Sequence, residues 1–299
     1  MASKRNEGTY FLARVTLHGK LKEKGLESAL AGSAIIQVGK YLWTVTDSSP
    51  GALADGTSYV FGFLTKYRSQ GQVEVVDAER KRVEARVASD LVEAKSPFMY
   101  IPSRAAIAHC LVWNKIDDKA FRDRLHDLIM SRDWFFADLQ IEAIANLDSF
   151  VLMASKIEKV TEVEAKVFPS NPLWGPLWRK LRKYISDRKL GEISISERAA
   201  AGDSIRSDLV GVVQKSPAGE VAEGAESLDS VADQAVLMAA AGYGKGKIVG
   251  MSGDVVVTVK TSQVVASFMY SKIPSPDGLA ARVVQELNLV EKKTGLSHR

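Results

Sequence analysis

Six short segments dense in β-branched and aromatic residues lie before residue 114, and none of them carries a helical period. That succession constrains the chain more than any other feature, because short apolar runs bounded by turn signals form strands that have to find partners. In TYFLARVTLH, Phe11, Ala13, Val15 and Leu17 alternate with more polar positions, the period of a half-buried strand. IIQVGKYLWTV, TSYVFGFLTKYRS, QVEVVD, PFMYIP and AIAHCLVW continue the series, and SPGALADG supplies a turn within it. Lys20–Gly32 has the charge density of a short helix, whereas ERKRVEARVASDLVEAKS reads equally as helix or strand.

From Asp117 the period changes. Phe121, Leu125, Leu128 and Ile129 recur at helical spacing behind an aspartate suited to capping. LDSFVLMASKIEKV predicts a second helix, and TEVEAKVF and EISISER predict strands. LDSVADQAVLMAAAGY is a small-residue helix ending at Gly242, which tolerates positive φ. GKGKIVGMSGDVVVTVKT folds back as a hairpin around Ser252–Asp254. Leu279, Val283, Val284, Leu287 and Val290 give a last amphipathic helix from about Pro276 to Thr294. Strands first, then helices mixed with hairpins, define an α+β class with antiparallel-rich sheets and flanking helices. At 299 residues the chain holds one large domain or two ordinary ones. The reading adopted is two lobes, a strand-rich 1–132 and an α+β 133–299 with a basic helix at 172–188 and a hairpin at 244–260.

The net charge of +4 excludes a molecule that is basic all over, so any phosphate-binding surface must arise by clustering. NPLWGPLWRKLRKY, residues 171–184, is the strongest cluster. At 100° per residue Trp174, Leu177, Trp178, Leu181 and Ile185 share one side, and Arg179, Lys180, Arg182 and Lys183 the other side and its flanks. The tryptophans belong to the core. The cations form either a solvated face or a ridge that displaces counterions from phosphate. Residues 216–235 carry five acids and no base, and their first part, SPAGEVAEGAES, reads as a linker.

Other constellations are weaker. Tyr59, Phe61, Phe63 and Tyr67 share a strand face, but they match an RNA-stacking signature at only three positions and read as core. His109 and Cys110 are neighbours in a strand and point to opposite faces, so they cannot form a nucleophile–base pair. Cys110 is the single cysteine, which rules out an intrachain disulfide and suits a reducing compartment. The four histidines show no metal-ligand spacing. GYGKGKI lacks the hydroxyl residue and following helix of a phosphate loop, leaving Lys245 and Lys247 as non-specific phosphate contacts. Glu164-Ala165-Lys166, with Asp148 upstream, has the E-x-K spacing of a magnesium-dependent nuclease. The start of the sequence has no signal-peptide core, and its longest apolar run, Ala235–Ala241, is too short to span a bilayer. A cytoplasmic protein without membrane contact is expected.

The order NPLWGPLWRKLRKYI, EISISERAAAGDSI, AGYGKGKIVG and VVVTVKT, over residues 165–262, resembles a family of proteins found in prophages and phage-defence loci. IIQVGKYLWTV, YVFGFLTKY and PFMYIP, followed by a strand and a helix, resemble the RexA-like phage-exclusion family. The second resemblance implies a homodimer that binds DNA and acts in abortive infection; neither supplies an active-site motif. The functional expectation is a phage-exclusion protein that binds nucleic acid, duplex DNA ahead of RNA, without cofactor, metal or catalytic residue. Arg179, Lys180, Arg182 and Lys183 would neutralise phosphate, with Lys66, Arg68, Lys245 and Lys247 as outlying contacts. Two alternatives stay open: a sensor module that recognises a phage component and signals to a partner effector, and the nuclease.

Overall fold

The computed structural model describes residues 6–77, 79–131, 137–168, 178–207, 209 and 228–294. Its strands are β1 (Glu7–Gly19), β2 (Ile36–Val38), β3 (Tyr41–Ala52), β4 (Ser58–Asp77), β5 (Arg82–Ile101), β6 (Ala106–Cys110), β7 (Ala137–Ala143), β8 (Lys159–Val167), β9 (Ile193–Arg198), β10 (Gly244–Ser252), β11 (Val255–Lys260) and β12 (Ser267–Ser271). The helices are α1 (Lys20–Lys24), α2 (Leu26–Ala31), α3 (Asp118–Met130), α4 (Leu147–Ala154), α5 (Arg179–Arg188), α6 (Val231–Met238) and α7 (Pro276–Thr294). The class is α+β, with antiparallel sheets and flanking helices. No helix among the described residues is long and apolar enough to cross a membrane.

An eight-stranded sheet, in the order β12-β1-β6-β5-β4-β3-β2 with β7 also on β1, forms the first lobe. Both of its faces are dry. On one, Leu21, Leu26, Phe121 and Leu125 from α1, α2 and α3 pack on Val15, Val60, Leu64 and Phe98. On the other, Leu279, Val283 and Leu287 of α7 pack on Tyr10, Leu12, Tyr59 and Met99. The half-buried strand expected at TYFLARVTLH is therefore buried on both sides, because α7 returns to cover Tyr10 and Leu12. The cap on α3 forms as expected: Asp117 Oδ1 accepts from the Ala120 N–H at 2.7 Å. The single helix expected over Lys20–Gly32 is broken at Gly25, whose φ of +76° no helix accommodates.

The ambiguous ERKRVEARVASDLVEAKS is strand, fused with PFMYI into the 20-residue β5. Its partner decides the matter: QVEVVD lies opposite it residue by residue, with Gln72 facing Val87 and Val76 facing Val83. The helix expected over LDSFVLMASKIEKV stops at Ala154, and its last residues enter β8.

The expected boundary at 132/133 does not match the sheets. β7 and β12 lie end to end along one edge of β1, β7 opposite residues 13–19 and β12 opposite residues 7–11. The chain thus leaves the first lobe after β7, builds the second, and comes back for β12 and α7. Where it leaves and re-enters, the Ala266 N–H donates to Ile144 O at 2.7 Å and the Ile144 N–H to Leu12 O at 2.9 Å.

The inserted lobe is a four-stranded antiparallel sheet, β11-β10-β8-β9, with α4, α5 and α6 on one face. Every residue of α6 from Ala232 on is buried, as a helix apolar around its whole circumference has to be. It tightens into one π-helical turn, Ala239–Tyr243, and reverses at Gly242, where φ is +89°. A Cβ there would stand 2.7 Å from the Cβ of Arg14 on β1, so the glycine also permits the two lobes to touch. Arg14 is fully buried at that junction. Its Nη1 donates to Arg104 O at 2.6 Å and lies 3.7 Å from Glu291 of α7, with the guanidinium 5.1 Å from the Tyr243 ring.

Candidate nucleic-acid interface

Two basic surfaces emerge in the inserted lobe. The first is α5. Leu181 and Ile185 anchor it in the core beside Trp178, which is completely buried, as the helical wheel requires. No side chain of α5's own N-terminus caps it. Instead Gln234, buried on α6, accepts from the Leu181 N–H at 2.8 Å and donates to Leu228 O at 2.6 Å. That cross-helix cap leaves the outward positions to Arg179, Lys180, Arg182 and Lys183, all exposed. The first turn has no acid to offset them. Lys180 reaches Asp229 at 2.6 Å, and that hydrogen bond holds the Asp229 carboxyl below the usual range. The part of the expected helix before residue 178, with Trp174 and Leu177, lies outside the described residues, as does most of the acidic stretch.

The second surface is the outer face of the four-stranded sheet. The alternation of TEVEAKV sends Val163, Ala165 and Val167 into the core and Glu162, Glu164 and Lys166 outward. Register then sets one row across all four strands, Lys260–Lys247–Glu164–Ser196, and beside it Lys245–Lys166–Ser194. Gly244 makes the approach of β10 to β8 possible, since a Cβ there would stand 2.0 Å from Lys166 O. These residues floor a shallow depression of about 550 Å³. Its cations are largely matched. Lys247 pairs with Glu162 at 2.5 Å and Glu164 at 2.9 Å, Lys166 with Glu192 at 2.9 Å, and Lys245 with Glu142 at 3.3 Å. Hydrogen bonds from Lys247 and then Arg198 hold Glu162 down to about 2, and the same carboxylates raise Lys247.

Because Leu181 and Ile185 pack on the helical side of the sheet, the α5 cations and the lysine rows face opposite ways. The eight expected contact residues accordingly fall in three places. Lys66 and Arg68 sit on β4 in the first lobe, where Lys66 lies 4.1 Å from the Tyr41 ring and Arg68 binds Glu93 at 2.7 Å. Tyr59 and Phe61 are buried under α7, as the core reading of that aromatic face requires, and they offer nothing for a base to stack on.

The nuclease constellation does not assemble. Asp148 is on α4 and pairs with Lys293 of α7, while Glu164 and Lys166 are held by Lys247 and Glu192. Among the described residues no group of three metal-binding side chains exists. His109 and Cys110 do point apart. His109 stacks on Phe121 of α3 with ring centroids 4.0 Å apart, and Cys110 packs with Tyr10 on the α7 side. Burial pushes His109 below its ordinary value although Asp118 stands 3.2 Å away. Burial would raise Asp118, but hydrogen bonds from His109 and Arg122 outweigh it and hold the carboxyl at about 2. A line of charges runs on from Asp118 to Arg122 at 2.7 Å, Glu142 at 3.9 Å and Lys245 at 3.3 Å, crossing from one lobe to the other.

Sequence reasoning missed Lys260, Ser194, Ser196 and Gln234. The period-two pattern of EISISER does mark the serines as one face, but only strand register places them beside the lysines. No protein-family model matches the chain, and a search of curated proteins finds no match.

Proposed function

We propose that the protein binds the phosphate backbone of nucleic acid, duplex DNA ahead of RNA, through the exposed face of α5, and that it does so in phage exclusion, as its sequence resemblances imply. One observation carries the binding reading. Arg179, Lys180, Arg182 and Lys183 stand together at the N-terminal half of a helix, exposed and without an acid in the first turn. Cations at that end oppose the helix macrodipole, and like charges three and four residues apart repel by a few tenths of a kcal/mol per pair. A polyanion reverses both effects. The lysine rows of the sheet lack this imbalance, because carboxylates already hold most of them. Backbone contacts of this kind fix position and carry no base information, which favours a duplex.

Labelled duplex DNA titrated with protein over a range of salt tests the reading. Four phosphate contacts give a slope of log K against log salt of about −3.6. Substituting Arg179, Lys180, Arg182 and Lys183 by alanine should flatten it, whereas Lys245→Ala/Lys247→Ala should change it by less than about one unit. A protein that leaves DNA unbound at low salt overturns the proposal.

A further inference from the structure

The β4–β5 hairpin outruns the sheet that holds it. β3 pairs with β4 only as far as Tyr67, and β6 pairs with β5 only from Phe98 to Ile101. Residues 68–77 and 82–91 therefore pair with each other alone, as a ribbon two strands wide with neither edge continued among the described residues. Ten residues of strand reach about 33 Å. Such a ribbon is marginal in water by itself and needs a cover on at least one face.

Register identifies that face. Gln72 lies opposite Val87, Glu74 opposite Ala85 and Val76 opposite Val83, so these six side chains share one side. All of them are exposed, Val76 by 68%, Val83 by 60% and Val87 by 73%. On the other side Val73, Val75, Glu84 and Ala88 are half-buried among themselves. One face thus presents three bare valines around a small alanine, and no other described element of the chain packs on it.

We infer that this valine face is a self-association surface, and that two copies of the chain pack their ribbons face to face about a twofold axis. Charge selects a second copy over a polyanion. Residues 68–91 contain five bases, Arg68, Arg80, Lys81, Arg82 and Arg86, and five acids, Glu74, Asp77, Glu79, Glu84 and Asp90. Glu84 lies 3.8 Å from Arg80 and 3.5 Å from Arg82. A ribbon with no net charge does not attract phosphate and does not repel its twin, in contrast to α5. Area agrees: one ribbon face offers roughly 500 Å² per copy, so two bury roughly 1,000 Å², the lower bound of a specific contact. Sheets packed this way stand about 10 Å apart, and an isologous contact closes at two copies. The observation is independent of α5, so self-association stands or falls apart from DNA binding.

The test is sedimentation velocity of the full chain from about 1 to 100 μM, beside the Val83→Asp/Val87→Asp variant and an Arg86→Glu variant on the opposite face. Both variants alter exposed positions, and circular dichroism checks that each keeps the fold. Wild type and Arg86→Glu should be dimeric, and the aspartates should raise the dimer dissociation constant by about 100-fold or more. A wild-type monomer at every concentration overturns the inference and leaves the face to a different protein. A dimer that survives both aspartates overturns it as well, and so does a dimer lost equally in Arg86→Glu.

Discussion

The two sheets are made of strands with the same alternation, and they end in opposite conditions. In the eight-stranded sheet both alternate sets are apolar, as in β4, where Tyr59 and Phe61 face α7 while Val60 and Leu64 face the other helices. In the four-stranded sheet one set is charged, as in β8, so helices cover only the face of Val163, Ala165 and Val167. The number of buried faces is written in whether the second set of positions is apolar or polar. What the open face then does depends on who neutralises it, and there carboxylates on neighbouring strands do so.

The largest test of that contrast is side-chain removal on either face of each sheet. Phe98→Ala and Met99→Ala, neighbours pointing to opposite faces of β5, should each cost about 2–5 kcal/mol in urea unfolding. Val163→Ala in β8 should cost roughly 2 kcal/mol and its neighbour Glu164→Ala no more than about 0.5 kcal/mol. Equal costs at 163 and 164 would mean that the second sheet also has two covered faces.

Acid separates the lobes more finely. His109 has a folded pKa below its ordinary 6.5, so the unfolded chain takes up a proton first as pH falls. Its contribution is constant above about 6.5 and declines below that value. Glu162, held at about 2 against an ordinary 4.5, stabilises fully above about 4.5 and loses its effect as pH falls toward 2. The urea midpoint followed from pH 8 to 3 should begin to fall near 6.5 in the wild type. His109→Gln should remove that early slope, and Glu162→Gln should flatten only the part below about 4.5. An early slope that persists in His109→Gln would assign it to a different group.

Much of this architecture was legible in period alone. The alternating segments before residue 114 became strands, and the helix of Leu279, Val283 and Leu287 packs on the face that its spacing marks. β7 and β12 were not legible, being short edge strands whose only distinguishing property is a partner in β1 more than 100 residues away in sequence. Residues 80–96 were ambiguous for the same reason, since a strand partner at 72–76 settled them. At the site, the wheel of α5 separated core from cation correctly for the described residues. The division of Lys66, Arg68, Lys245 and Lys247 among different surfaces needed the register of β8 and β10 and the pairing of β4.

The return of the chain to the first lobe sets an order of events during synthesis. A ribosome adding about 5–20 residues per second completes β4 and β5 many seconds before it reaches α7. Throughout that interval Tyr59, Phe61 and Met99 have no lid, and half of the edge of β1 has no β12. The inserted lobe lies wholly within the interval and can close on its own core first. The sheet begun earliest is therefore finished last, and the nascent chain is most exposed to aggregation and to chaperones in the part that ends up most deeply buried.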